Sequence, residues 1–288
     1  MPELPEVETI RRQLIPLLRN NTINSIEVFH DKTVDFDETI EERLVGQTFQ
    51  DIDRVGKLLI FSFYNKDDLF LLIHLKMTGQ LLYVEDSRLI TGGGHSISNK
   101  DISSLPNSHT RLSFTLQNNT TLYFNDMRLF GYAKLTNREK LEQIKLKFGP
   151  EPIDSNFDLD WFFKTLKKRK TSIKATLLDQ SFVAGLGNIY VDELLFRSNI
   201  LPDRRSDTIT HTQAIQLAKN AHAVLQESIE VGGTTFQNFV DTNGNSGNFT
   251  QYLQVFNRNN LPCLVCGELI KKTKVAGRGT HFCPQCQK

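Results

Sequence analysis

The chain has 288 residues, 39% of them apolar and 23% charged, with a net charge of +1 and a pI near 7.7. These are the values of a soluble globular protein, and the overall charge gives no sign of a nucleic-acid binder. Apolar runs such as Leu58 to Phe63 and Leu69 to Leu75 are strand-length, well short of the ~20 residues of a membrane helix. No basic-then-apolar stretch opens the chain, so no secretory signal is expected and a cytoplasmic location is.

The first element is a helix. Pro5 suits a first turn, where its missing N–H is not needed, and Val7, Ile10, Leu14 and Leu17 or Leu18 follow at helical spacing. A small residue after Met1 favours its removal. Pro2 would then carry a free secondary amine beside Glu3 and Glu6, able to attack a sugar or carbonyl carbon and form an iminium. By itself the stretch is better read as an ordinary helix start, its glutamates favouring the positive end of the dipole and Pro2 an ordinary chain end.

Strands are expected at Ile23 to His30, Leu58 to Tyr64, Leu69 to Leu75, Leu81 to Val84, Arg111 to Leu116 and Thr121 to Asn125, separated by turn signals such as Asn118-Asn119. They suggest an antiparallel two-layer sandwich. Glu85 to Ser108, with Gly92-Gly93-Gly94 and many Ser and Asn, reads as a surface loop. Phe148-Gly-Pro-Glu-Pro152 reads as a linker, and beyond it the periodicity is helical near Asp158 to Leu166, Lys174 to Asp179, Ile189 to Ser198 and Thr210 to Ile229. Asp241 to Phe249 reads as a flexible loop. The expected organisation is α+β: 1–148 an N-terminal β-sandwich with its helix, 149–156 a linker, 157–256 a helical domain and 257–288 a small ribbon. At this length, two domains and an appendage are natural.

The ribbon holds the strongest local signal. Cys263-x2-Cys266 and Cys283-x2-Cys286 are the four cysteines of the chain, at knuckle spacing, and point to one tetrahedral structural zinc with no open position for chemistry. Disulfides or a redox pair are the other possibilities; no redox cofactor is expected. Lys271, Lys272, Lys274, Arg278 and His281 lie between the knuckles on a ribbon suited to phosphates. Charge is locally uneven: residues 1–56 hold 12 acids against 6 Lys or Arg, whereas 257–288 hold 6 Lys or Arg against Glu268 alone. A second basic segment, Trp161 to Lys174, contains Lys164, Lys167, Lys168, Arg169, Lys170 and Lys174 without an acid. Such runs can neutralise a phosphate backbone or simply face solvent.

The opening PELPEVETIRR, the Ala184-Gly-Leu-Gly-Asn-Ile-Tyr190 turn between helices and the four-cysteine finger, in that order, resemble the formamidopyrimidine-DNA glycosylase family. The resemblance implies a helix–two-turns–helix in the helical domain, damaged double-stranded DNA as partner, a monomer, and excision of oxidised purines (8-oxoguanine and formamidopyrimidines) with abasic-site lyase activity in base-excision repair. It makes Pro2 the nucleophile, Glu3 the acid–base group, Glu6 its support, and Lys57 and Arg278 contacts that assist elimination. It further implies that His74, His109, Arg169 and Asn188 bind DNA, and that Met77, Arg128 and Phe130 fill the hole left by an extruded base. The 241–249 loop would close over the lesion. Leu129 stands where relatives often carry a second basic residue, the 85–108 stretch is longer than expected, and Phe256 to Asn260 replaces a glycine-containing turn, which Asn should tolerate. A sister enzyme of the endonuclease VIII type, acting on oxidised pyrimidines, and a non-catalytic zinc-ribbon binding module are the competing expectations.

Overall fold

A computed structural model of the chain describes residues 1–86, 88–94, 104–234 and 249–288. They fall into two compact units: Met1–Leu146 with the described part of Val231–Asn248, and Lys147–Glu230 with Phe249–Lys288.

The first unit is built on two antiparallel sheets. One has the order β1 (Ile23–Val28), β7 (Thr110–Leu116), β8 (Thr121–Asp126), β5 (Gly79–Glu85), β6 (Arg88–Gly94); the other runs β2 (Phe49–Val55), β3 (Leu58–Phe63), β4 (Lys66–His74), β9 (Tyr132–Thr136). A single apolar core joins Ile26, Leu81, Phe114 and Phe124 of the first sheet to Phe49, Phe61, Leu71 and Ile73 of the second, and receives Val7, Ile10, Leu14 and Leu18 of α1 (Leu4–Leu18). These are the apolar positions of the expected helical stripe. The outer face of the second sheet is also covered: Leu58, Ile60, Phe70 and Leu72 pack on Leu141 of α3 (Arg138–Lys145). Burial on both faces explains why β3 and β4 read as continuous apolar runs instead of alternating ones. A short α2 (Ile40–Leu44) closes the β1–β2 connection.

The expectation of a loop from Glu85 to Ser108 is corrected. Strand β6 occupies Arg88–Gly94 and pairs with β5, Gly92 lying opposite Leu82. A Cβ on Gly92 would come 2.7 Å from Leu82 Cδ2, so glycine here lets the neighbouring leucine pack across the strand. Thr91 also donates to Gln13 Oε1 of α1 at 2.8 Å. Residues 95–103 of that stretch, and 241–248 of the other expected loop, lie outside the described residues.

The second unit contains α4 (Leu159–Leu166), α5 (Ile173–Leu178), α6 (Asn188–Arg197) and α7 (His211–Glu230). Three of the four starts are marked by side-chain caps. Asp158 and Ser172 accept from Trp161 N–H and Ala175 N–H, and Thr210 exchanges hydrogen bonds with Gln213 as a capping box. Helix α6 is buried from Ile189 to Phe196. The Phe148 to Pro152 stretch is fastened to the turn before α6: Gly149 N–H donates to Gln180 O at 2.9 Å and Ala184 N–H to Pro150 O at 3.1 Å. A Cβ at Gly149 would stand 2.2 Å from Phe182 O, which requires glycine there. The chain ends in the hairpin β10 (Lys271–Val275) and β11 (Arg278–Phe282) beside the four cysteines. Among the described residues, no helix is long and apolar enough to cross a membrane.

Candidate active site and nucleic-acid interface

In the first unit, the start of α1 is held as a reciprocal capping box. Glu3 is the N-cap, its side chain receives the Glu6 N–H, and Glu6 Oε2 accepts the Glu3 N–H at 2.8 Å. Glu6 Oε1 accepts both the N–H and the hydroxyl of Thr234, at 2.7 and 2.8 Å. Pro2, Glu3 and Glu6 are all buried. A carboxylate placed by both of its oxygens is suited to hold Glu3 in one orientation beside Pro2.

Glu8, one turn further on, belongs to a cluster that the sequence reading missed. Its carboxylate, 5% exposed, meets Arg11 at 3.0 Å, Arg12 at 2.8 Å and Arg54 at 3.0 Å. Burial acts to raise its pKa, but hydrogen bonds from the three arginines prevail and bring it to about 2. Arg54 Nη1 also donates to Gly56 O at 2.8 Å, tying α1 to the turn that presents Lys57, itself buried. The available signal was a glutamate followed by arginines at i+3 and i+4 in a helix.

His74 ends β4. Burial first, then the charges of Lys76 and Lys57, push its pKa down to about 3, so it is neutral at physiological pH. Its Nδ1 accepts the Lys76 N–H at 3.0 Å, which leaves the ring proton on Nε2 as a donor. Next to it, Met77 (39% exposed) and Phe130 (48% exposed) stand out as large exposed apolar side chains. Arg128 joins them: its guanidinium lies 4.7 Å from the Phe130 ring centre and its Nη1 is 3.2 Å from Met77 Sδ. Leu129, between them, takes a left-handed backbone with φ 55°. Arg128 and Phe130 donate their backbone N–H groups to a buried residue that the sequence did not single out, Asp126, whose own N–H donates to His109 O at 2.8 Å. His109 is exposed at the same end of the sheet. The structure thus brings Met77, Arg128 and Phe130 together and sets the backbone of His109 against Asp126.

In the second unit, Asn188 begins α6 and its Nδ2 donates to Gly279 O at 2.9 Å, which sets Arg278 beside the helix N-terminus. Arg169 is engaged by Asp179 at 2.7 Å and lies over the Phe182 ring. Of the basic segment around it, Lys174 is corrected from a candidate phosphate contact: it is fully buried, pairs with Asp192 at 2.6 Å and reaches Gly279 O at 3.3 Å. Asp192 also accepts the His281 N–H at 2.8 Å, so this buried pair fastens the hairpin to α5 and α6. Glu193 accepts the N–H groups of Gln254, Val255 and Phe256 at 2.8 to 3.0 Å and so anchors the segment entering the ribbon. Asn257 and Asn260 both adopt the left-handed backbone expected of a glycine-less turn.

The four cysteine sulfurs lie within 4.8 Å of one another, with Cys263–Cys286 at 3.9 Å and Cys266–Cys283 at 3.5 Å. A disulfide needs about 2.05 Å, whereas four thiolates about 2.3 Å from one zinc sit at such separations. Amide N–H groups of Val265 and Cys286 point at Cys263 and Cys283 sulfurs, as thiolate ligands require. The donor set therefore fits a structural zinc.

Family models match along nearly the whole chain: the formamidopyrimidine-DNA glycosylase N-terminal domain over residues 1–133, the formamidopyrimidine-DNA glycosylase H2TH domain over 148–240, and the zinc finger found in FPG and IleRS over 260–288. The formamidopyrimidine-DNA glycosylase of Bacillus licheniformis is 40% identical over 294 residues, with 100% of both chains covered. That of Pelotomaculum thermopropionicum is 39% identical over 296 residues, covering 100% of this chain and 99% of the relative. Among solved structures, the Lactococcus lactis Fpg bound to DNA containing an abasic site superposes with a TM-score of 0.87 at 34% identity, covering 99% of each chain. MutM bound to DNA containing carbocyclic 8-oxo-G gives 0.85 at 34% identity over 100% of both.

Proposed function

The chain belongs to the formamidopyrimidine-DNA glycosylase family and is a DNA glycosylase of DNA repair, and from that premise we propose that it excises oxidised purines, 8-oxoguanine and formamidopyrimidines, from duplex DNA and then cleaves the strand as an abasic-site lyase. The observation that carries the reading is the buried capping box, which fixes Glu3 next to Pro2 through Glu6.

After removal of Met1, the Pro2 nitrogen is a secondary amine with a lone pair. It attacks deoxyribose C1′ as the damaged base leaves with the glycosidic electrons. Glu3 protonates the ring oxygen as the sugar opens, giving the Pro2 iminium. The iminium draws electron density from C1′ and acidifies the C2′ proton; its removal expels the 3′ phosphate, and a second elimination expels the 5′ phosphate. A one-nucleoside gap remains. Water finally releases Pro2. Glu6 keeps Glu3 oriented, Lys57 and Arg278 hold the flanking phosphates and assist elimination, and His74 contacts the DNA beside them. The neutral His74 serves as a hydrogen-bond donor there and not as a charge.

Around that chemistry, Met77, Arg128 and Phe130 enter the duplex where the lesion leaves it, and His109, Arg169 and Asn188 contact the backbone. One structural zinc on Cys263, Cys266, Cys283 and Cys286 shapes the ribbon. The proposed domains are 1–148 catalytic, 149–156 linker, 157–256 helical and 257–288 zinc ribbon, working as a cytoplasmic monomer.

Intact mass spectrometry before and after borohydride treatment with a duplex carrying one 8-oxoguanine tests the proposal. Loss of Met1 and a reduced DNA adduct mapping to Pro2 are expected. A free Pro2 without an adduct, while an oxidised-pyrimidine duplex traps efficiently, would reassign the substrate; inertness toward all damaged duplexes would leave a binding protein.

A further inference from the structure

We propose that Thr78 is a positioning residue: with the buried Asp126 carboxylate, its hydroxyl locks the turn carrying Met77 and the turn carrying Arg128 and Phe130 into one preset wedge. The inference rests on the reading of those three side chains as the group that replaces an extruded base.

The two turns come from distant parts of the sequence and meet at one carboxylate. Asp126 is 1% exposed and Thr78 is 8% exposed. The Thr78 hydroxyl donates to Asp126 Oδ1 and accepts the Arg128 N–H at 3.1 Å. Asp126 Oδ1 also accepts the Arg128 N–H, at 3.2 Å, while Oδ2 accepts the N–H groups of Phe130 at 2.8 Å and Gly131 at 2.7 Å. Thr78 is thus a side chain that bonds to both ends of the linkage, and it directly follows Met77.

The turn on its own side is equally fixed. Lys76 has φ 51° with its N–H on His74 Nδ1, and Gly79 N–H donates to Leu75 O at 2.9 Å. A Cβ on Gly79 would stand 2.4 Å from Leu75 O, so the turn closes only with glycine. Across from it, a Cβ on Gly131 would come 2.7 Å from Phe124 Cζ and 3.2 Å from Asp126 Oδ2. Leu129 is held in a conformation that side chains seldom adopt, between amides that Asp126 binds on both sides. These constraints present Met77 and Phe130 exposed, with Arg128 touching both. A wedge that must unstack a duplex acts best when its parts arrive already ordered, because ordering them on the DNA would draw on the same binding energy.

The test compares T78V, which keeps the shape and loses both hydrogen bonds, with T78S, which retains the hydroxyl. Each is assayed on duplex 8-oxoguanine and on a preformed abasic site, where no base has to be extruded. T78V should lower kcat/KM on the lesion by about tenfold to a hundredfold. It should also suppress the fluorescence rise of 2-aminopurine placed opposite the lesion, and leave abasic-site cleavage within about twofold. T78S should restore the lesion activity, and T78V should add little in an R128A background. M77A, R128A and F130A run in parallel. If they lose lesion activity and T78V does not, Thr78 has no positioning role although the wedge stands. If T78V loses abasic-site cleavage as much as excision, its role is general stability and the proposal is overturned. If the three wedge variants all excise normally, the wedge reading itself fails and the proposal with it.

Discussion

Two ionisable side chains, the buried Glu8 and the half-buried His74, make folding stability depend on pH in separable windows. Glu8 has a folded pKa near 2 against an ordinary 4.5. The unfolded chain therefore binds more protons between these values, and stability present in full above pH 4.5 is lost as pH falls through about 2. That lowering corresponds to roughly 3 kcal/mol. His74 is lowered to about 3 from an ordinary 6.5. The sign is the same, because the unfolded histidine takes up the proton first, but its loss begins near pH 6.5. Urea midpoints measured from pH 7 to 3 should decline first on account of His74 and more steeply below 4.5 once Glu8 contributes. H74N, whose amide oxygen can still accept the Lys76 N–H, should flatten the limb between 6.5 and 4.5; E8Q should flatten the lower limb and leave the upper one. An unchanged upper limb in H74N would show that another group governs it. Neither effect was legible in the sequence. Glu8 and its two helical arginines could have been paired from their spacing, but Arg54 joins them only through the fold, and the shift at His74 arises from burial.

Elements were recovered where periodicity and capping agreed. Helices α4, α5 and α7 start within a residue or so of their expected positions, where Asp158, Ser172 and Thr210 cap them, and α6 does so on its apolar period without a side-chain cap. Strand β2 escaped because only Phe49 and Ile52 are buried among its first five residues, an interval of three, created by a register irregularity between Phe49 and Asp51. A bulge shifts the period-two pattern that a strand reading needs. Strand β6 escaped because glycine has low strand propensity, and pairing with β5 overrides it. The zinc hairpin shows the opposite case, a turn forming with a residue that does not favour it. Its two-residue loop places both Ala276 (φ 50°) and Gly277 (φ 73°) in the left-handed region. Such type I′ turns favour Asn or Gly in the first position. A276N should therefore stabilise the metal-loaded hairpin, by about 0.5–1 kcal/mol, visible as slower release of zinc to a colorimetric chelator. Faster release would mean that the alanine methyl makes a contact outweighing its backbone strain.

For the molecule as a whole, sequence chemistry alone gave a metal ribbon and a possible nucleophile. The wedge residues needed the family resemblance, since an exposed Met77 or Phe130 looks like core in a sequence. What the metal contributes can be argued from where the ribbon's order comes from. Its apolar cluster is small: Val255, Cys263, Ile270 and Cys283 around Phe196 of α6, two of the five being cysteines of the proposed zinc site. Too little apolar surface is buried there to hold the hairpin without zinc. The β-sandwich has its own extensive core, and α6 and α7, which lie against each other, carry buried leucines of their own, Leu194, Leu195, Leu217 and Leu225. Chelation should thus melt the ribbon alone. That displaces Arg278 and frees Asn188 from Gly279, removing two proposed backbone contacts together with the exposed Lys271, Lys272 and Lys274. We predict that a chelator releases one zinc per chain and abolishes duplex binding while far-UV circular dichroism keeps most of its helix and strand signal, and that the DNA affinity of the loaded protein falls steeply with salt. Both measurements bear on the same cationic ribbon. Duplex binding that survives verified zinc loss would move the footprint elsewhere on the chain, and a single cooperative collapse on chelation would make the metal a support of the whole second unit.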